Sequence, residues 1–220
     1  MILLLFGPPG CGKGTQARLL SNWLQIPAVS TGDLLRAETE SNTPFGRELA
    51  AVLAAGQYVN DDMVNRMIEN RLDRLENGGI ILDGYPRTVA QASFLDRALE
   101  KRGLPPALAI HLEVPRDVIV RRLSSRSQCS HCRRVFNDAD HPATYCAECG
   151  SPLIRRADDK PEVVLERLAT YHAKTGPVLG HYAGSRFRAV EGDRDPDDVF
   201  REILRLAGEG SLGGANGASG

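Results

Sequence analysis

No stretch of this chain is apolar for long enough to cross a bilayer. The longest N-terminal apolar run, Met1 to Phe6, falls far short of the ~20 residues a membrane helix needs. No basic segment precedes it as in a secretory signal, so the expected compartment is the cytoplasm. An excess of one charge is also missing. Lys+Arg number 27 against Asp+Glu 28, a formal net charge of −1, which removes any global basic field for nonspecific nucleic-acid binding. Lysine is scarce: 4 of the 27 cations are Lys and 23 are Arg, the fork-shaped donor that suits carboxylates and phosphates. No repeat of fixed period occurs. At 220 residues, 42% hydrophobic and 25% charged, the chain is neither disordered throughout, nor fibrous, nor a disulfide-dense miniprotein. Only five cysteines are present, and four of them fall in two Cys-x-x-Cys pairs.

Apolar runs alternate with helical periodicity along the chain. Strands are expected at Met1 to Phe6, Pro27 to Ser30, Ile80 to Asp83, Ala107 to Val114 and Phe187 to Glu191. Helices are expected over 14–24, 33–39, 44–55 (stopping at Gly56), 61–75, 88–101, 116–126, 161–172 (with continuation past Pro177 left open) and 196–206. That order implies an α/β fold with a parallel, five-stranded sheet covered on both faces. Residues 127–157 break the pattern with cysteines, His and Pro. Residues 208–220, almost all Gly, Ser and Ala, read as a floppy tail.

The segment Gly7-Pro8-Pro9-Gly10-Cys11-Gly12-Lys13-Gly14-Thr15 lies between the first strand and the first helix. Glycines there let backbone amides turn inward, and the helix adds its positive end, making an anion cradle. Lys13 can reach the outer phosphates of a nucleotide. A strict P-loop has Ser or Thr directly after the lysine; here Gly14 intervenes and the hydroxyl comes at Thr15. Cys11 reads as a small loop residue, since no base is placed to activate it.

A second site follows from Ile80-Ile81-Leu82-Asp83-Gly84-Tyr85-Pro86-Arg87. Asp83 ends a buried strand at the edge where open α/β sheets bind ligands, placed to hold water on Mg²⁺. Arg87 follows a turn over the same edge. Ser30-Thr31-Gly32-Asp33 opens a helix carrying Arg36, with Asp33 as the expected N-cap. Arg122 and Arg126 are four apart and are expected on one helix face, where like charges call for an anion. Arg156 and Arg167 flank Asp158-Asp159-Lys160-Pro161.

Cys129-x-x-Cys132, 13 residues, then Cys146-x-x-Cys149 has the spacing of a four-thiolate zinc site. Gly150 gives the second pair room for a tight knuckle; Arg133 follows the first. His131 and His141 are reserve ligands, and Fe²⁺ or Co²⁺ also suits thiolates. Four protein ligands leave no open position, so the expected role is structural.

Taken together, the loop Gly7 to Thr15, Ser30-Thr31-Gly32-Asp33 with Arg36, Asp83-Gly84-Tyr85-Pro86-Arg87 with Gln91, Arg122, Arg126, Arg156 with Asp158-Asp159, and Arg167-Leu168 before Tyr171-His172 resemble the adenylate kinases, nucleoside monophosphate kinases of the P-loop class. The resemblance covers about residues 1–206. It implies a P-loop core (1–29, 60–121, 160–207), an AMP-binding insert (30–59) and a lid (122–159) of the long, zinc-bearing bacterial type. It implies MgATP on Gly10, Cys11, Gly12, Lys13, Gly14 and Thr15 with Arg122 and Arg126. AMP would lie on Thr31, Arg36, Gln57, Val59, Gly84, Arg87, Gln91, Arg156 and Arg167. Lys13, Arg87, Arg126, Arg156 and Arg167 would surround the transferred phosphoryl group, Arg155 being an alternative register for Arg156. The implied enzyme is a monomer that converts ATP and AMP into two ADP. Three other readings stay open: a UMP or CMP kinase, a nucleic-acid-binding zinc ribbon with Arg121, Arg133 and Arg134 beside Phe136 and Tyr145, and a P-loop protein using ATP only as a switch.

Overall fold

The computed structural model describes residues 1–41, 43–54, 59–75, 78–137, 144–155, 159 and 161–212. Five parallel strands form the central sheet: β1 (Ile2–Phe6), β2 (Ala28–Ser30), β3 (Ile80–Asp83), β4 (Leu108–Glu113) and β8 (Phe187–Glu191), in the order β2-β3-β1-β4-β8. β1 is buried on both faces, which is why it reads as an unbroken apolar run. Its alternate residues divide between two cores. Ile2, Leu4 and Phe6 pack with Ile80, Leu82, Ile68, Leu95 and Tyr182. Leu3 and Leu5 pack with Ile110, Leu112, Leu20, Val199 and Ile203. Each such side chain contributes about 1.5–3 kcal/mol over an exposed one.

The helices that cover the sheet are α1 (Lys13–Leu24), α4 (Asp61–Leu72), α5 (Val89–Lys101), α8 (Gly176–His181) and α9 (Pro196–Leu212). Between β2 and α4 come α2 (Thr31–Thr39) and α3 (Pro44–Ala54). α6 (Arg116–Ser124) and α7 (Pro161–Thr170) bracket the cysteine segment. They root it through a small core of Ile119, Leu123, Val164 and Leu168. The segment itself contains β5 (Arg126–Cys129), β6 (Val135–Asn137) and β7 (Leu153–Ile154), paired antiparallel in the order β6-β5-β7.

Several sequence expectations need correction. α6 ends at Ser124, so Arg122 and Arg126 do not share a helix face; Arg126 opens β5. The cause is local: the Ser124 and Ser125 hydroxyls both donate to the Arg121 carbonyl, which competes with the helix ladder. The N-cap of α2 is Ser30, whose hydroxyl accepts from the Asp33 amide, rather than Asp33. α7 gives way to a π-helical turn at Tyr171–Thr175 before α8. α9 runs to Leu212, past the expected start of the tail, because Val199, Ile203, Leu206 and Ala207 anchor it to the core. Residues 213–220 lie outside the described residues, as does the expected helix stop at Gly56.

Candidate functional site

The glycine loop turns sharply between β1 and α1. Gly7, Gly10 and Gly12 have φ of 144°, 85° and 100°, conformations that favour glycine. Gly7 is held by space as well: a Cβ there would lie 2.8 Å from the Leu112 carbonyl oxygen. Gly12 caps α1, and no side chain accepts from the first-turn amides. These amides and the helix dipole give the loop end of α1 a positive potential. The Lys13 ammonium folds over the loop and donates to the carbonyls of Gly7 (2.7 Å) and Pro8 (3.0 Å), with Cys11 Sγ at 3.7 Å. A Cβ on Gly14 would be 3.7 Å from Asp83 Oδ2, so the carboxylate at the end of β3 faces the first turn of α1.

β3 lies between β1 and β2, with Asp83 in register with Leu5 on one side and Ser30 on the other. The turn after it therefore joins the glycine loop to α2. Thr31, buried at the start of α2, donates its hydroxyl to the Gly84 carbonyl (2.9 Å). Arg87 Nε donates to the same oxygen (2.8 Å) while the side chain reaches the surface. Gly84 has φ 77°, and a Cβ there would crowd Thr31 Oγ1 at 3.1 Å and Arg87 Nη2 at 3.2 Å. Arg36 pairs with Asp33 on the exposed side of α2. Val59 is half-buried just ahead of α4.

Gln91 is nearly fully buried and its carboxamide is engaged at both ends. Oε1 accepts from the Arg87 amide (2.7 Å), and Nε2 donates to Asp61 Oδ1 (2.8 Å). Asp61 Oδ2 accepts from the Thr88 hydroxyl (2.6 Å), which in turn caps α5. Asp61 thus fixes the backbone that carries Arg87. Sequence reasoning missed it, since nothing local marks an exposed-looking helix-start acid as the partner of a residue in the next helix. The Tyr85 hydroxyl donates to Asn65 Oδ1 (2.6 Å), and burial pushes its pKa up, keeping it neutral.

Arginines at the base of the cysteine segment are paired. Arg126 makes a two-pronged contact with Asp159, Nε to Oδ2 being 2.7 Å, and Arg167 Nη1 lies 3.6 Å from Asp159 Oδ1. Arg122 donates to the Gly192 carbonyl (3.1 Å) and reaches Asp193 (3.3 Å), beside the Cys11 carbonyl of the glycine loop. Arg155 donates to the Ser124 carbonyl at the end of α6. Gln57, Arg156, Asp158, Lys160 and His141 lie outside the described residues.

The four sulfurs of Cys129, Cys132, Cys146 and Cys149 lie within 4.8 Å of one another. Cys129 and Cys149 Sγ are 3.4 Å apart, and Cys132 and Cys146 Sγ 3.5 Å. Zn–S bonds of about 2.3 Å give tetrahedral S···S edges of about 3.8 Å, so the donor set fits a thiolate-bound ion. Amides of Cys132 and Glu148 point at Cys129 and Cys146 Sγ (3.4 Å each), where they would stabilise thiolate charge and orient the sulfurs. Hydrogen bonds from Ser151 draw Cys149 down to about 6. Gly150 and Arg133 are both left-handed, with φ of 71° and 61°. His131 is exposed and does not join the cluster.

Comparison with known proteins identifies the family. The adenylate kinase family model matches residues 5–186. Adenylate kinases of Anaeromyxobacter sp. (strain K) and Thermosipho melanesiensis are each 41% identical, covering 94% of this chain and 100% and 99% of theirs. That of Ruminiclostridium cellulolyticum is 37% identical over 94% of this chain and all of its own.

Proposed function

The chain belongs to the adenylate kinase family, which moves phosphoryl groups between ATP and AMP, and from that premise we propose a direct, reversible, in-line transfer giving two ADP. One observation carries the reading. Asp83 ends the strand that lies between β1 and β2, so the glycine loop and the start of α2 open onto one sheet edge. MgATP lies in the Gly10–Thr15 cradle, and AMP lies against Thr31, Arg36, Val59, Gly84 and Arg87, with Gln57 completing that side.

No covalent nucleophile is required, because the acceptor is a phosphate oxygen that is already anionic. The protein's work is charge neutralisation, alignment and exclusion of water. Lys13 exchanges the Gly7 and Pro8 carbonyls for phosphate oxygens. Arg126 and Arg167, gathered at Asp159, and Arg156 close over the transferring group as the lid descends. Arg87 fixes the acceptor phosphate, and Gln91 supports the backbone that presents it. The Asp83 carboxylate would hold the water shell of Mg²⁺, and that ion would supply charge neutralisation to the nucleotide phosphates. The four cysteines would hold Zn²⁺, which would supply folding energy to a lid with little core of its own. Among the described residues no helix is long and apolar enough to cross a membrane, and we place the enzyme in the cytoplasm as a monomer.

The test is a coupled assay for ADP from ATP with AMP, GMP, CMP or UMP. AMP should be used at least tenfold faster than the others. Absence of ADP with AMP, or a preference for UMP or CMP, overturns the reading.

A further inference from the structure

A cavity of about 320 Å³ opens between α2, the start of α3 and α4, on the side of α2 away from the AMP position. Leu34, Phe45 and Met67 form its apolar wall, and Arg66, Arg71 and Arg74 supply its charge. It is separate from the substrate positions. Thr31 turns toward Gly84, and Arg36 lines a different cleft with Glu40 and Arg133.

The charges of α4 are sorted between two sides. Toward its C-terminal end, Glu69 and the capping Asp73 both pair with Arg102 beyond the end of α5, at 3.3 and 2.5 Å. Among the described residues, Arg66, Arg71 and Arg74 have no acidic partner; Arg66 lies over the Phe45 ring, 4.7 Å from its centroid. The one acid in the cavity, Glu38, already accepts from the hydroxyls of Thr43 (2.7 Å) and Ser41 (3.2 Å). Arg71 and Arg74 also offset the negative end of α4. That accounts for basic residues in a last turn, but not for the cavity beside them, nor for Arg66, which lies further up the helix. An apolar wall with a few convergent polar groups is the make-up of a small-molecule site, and 320 Å³ is within the range such sites occupy.

We propose that this cavity is a second nucleotide site, taking a nucleoside mono- or diphosphate in addition to the substrates. The base lies against Leu34, Met67 and the stacked Arg66–Phe45 pair, because guanidinium and aromatic faces both accept a flat ring. The phosphates meet Arg71 and Arg74 through charge-assisted hydrogen bonds. The ligand would join α2, which carries Thr31 and Arg36, to the core helix α4. The proposal rests on the substrate reading above only in assigning the other two nucleotide positions.

The test saturates the protein with a bisubstrate dinucleotide (two adenosines joined by a phosphate chain) and then measures labelled ADP by equilibrium dialysis. One further equivalent of ADP is expected to bind, and more weakly as salt is raised. In the double variant R71Q/R74Q this binding should weaken about tenfold or more, from the loss of two charge-assisted contacts. Dinucleotide affinity should stay unchanged, and the urea midpoint should fall only slightly, through the lost charges at the end of α4. Adenosine and inorganic pyrophosphate should each bind less tightly than ADP. No further equivalent, or one unaffected by R71Q/R74Q, overturns the site; pyrophosphate binding as tightly as ADP overturns its assignment to a nucleotide. If the dinucleotide itself does not bind, the substrate reading fails, and the ADP stoichiometry of wild type against R71Q/R74Q still decides the cavity.

Discussion

Arg126 and Arg167 meet on a single carboxylate. Asp159, with only 6% of its side chain exposed, takes both oxygens of its ion pair to Arg126 and also faces Arg167 at 3.6 Å. Two like charges from opposite sides of the lid are thereby held at its base, where β5 leaves α6 and α7 returns. Asp159→Asn removes the charge and leaves the shape. Because Arg126 is itself largely buried, the loss should cost about 1–3 kcal/mol in urea unfolding. In a double-mutant cycle, Arg126→Ala should cost less in the Asp159→Asn background than in wild type. Additive costs would show that the contact is incidental.

Lys13 and Arg87 make few structural contacts for their proposed importance. Among the described residues, Lys13 bonds to loop carbonyls and the Cys11 sulfur, and Arg87 Nε donates to one carbonyl with Asp83 near enough to favour its charge. Lys13→Met and Arg87→Ala should therefore lower kcat by about two orders of magnitude or more while the melting temperature moves little. Wild-type turnover in either variant would remove that residue from the proposed machinery.

The legible part of the molecule was its sheet and its glycine loop. Ile80–Asp83 and Phe187–Glu191 are strands at the bounds the sequence indicates: both-face burial gives the first an unbroken apolar run, whereas the second, at the sheet edge, fully buries only Val190. The strands of the cysteine segment, β5, β6 and β7, left no signature, being only two to four residues long, too short for a period to show. The end of α6 was written in Ser124-Ser125, but hydroxyls that bond back to a carbonyl look like ordinary polar residues in a pattern search. Of the site, the loop, Asp83 and the cysteines could be read from spacing. The Asp61–Gln91 and Arg126–Asp159 contacts could not, because each joins residues about thirty apart whose meeting depends on the finished packing.

The four-cysteine cluster should matter to stability and leave chemistry to other residues. Metal removal by a chelator should lower the melting temperature and speed proteolysis within the lid, because the insert has little apolar core to replace the lost ligation. Cys146→Ser should do the same without chelator. If both measurements are unmoved after metal analysis confirms removal, the structural role fails.

Arg133 and Gly150 close the two knuckles with the same left-handed turn, but only Gly150 does so without strain. The arginine's Cβ should cost about 1 kcal/mol at φ 61°. Its reward is slight, since the guanidinium reaches Glu40 only at 4.0 Å between exposed side chains. Arg133→Gly should thus leave the metal-loaded protein as stable as wild type or more stable, by about 0.5–1 kcal/mol. A clear loss in chemical denaturation would mean that the Glu40 contact outweighs the backbone.

His111 should set the acid limit of stability. Its ring is mostly buried at the end of β4. Nε2 is 3.1 Å from the Tyr171 hydroxyl, and Nδ1 is 3.5 Å from Glu113, with Phe187 alongside and Lys13 near enough to repel a proton. Burial holds its pKa below the ordinary 6.5, and Lys13 adds to that, against the opposing pull of Glu113. The folded protein therefore keeps the ring neutral at a pH where the unfolded chain takes up a proton. Its contribution is complete above pH 6.5 and declines as the pH falls below that value, until the folded ring itself is protonated. His111→Gln, which can still bond to Tyr171 but cannot charge, should flatten this decline. Urea midpoints measured at about pH 7.5 and about pH 5.5 should differ less in the variant than in wild type. Parallel losses in the two proteins would assign the acid sensitivity to other groups.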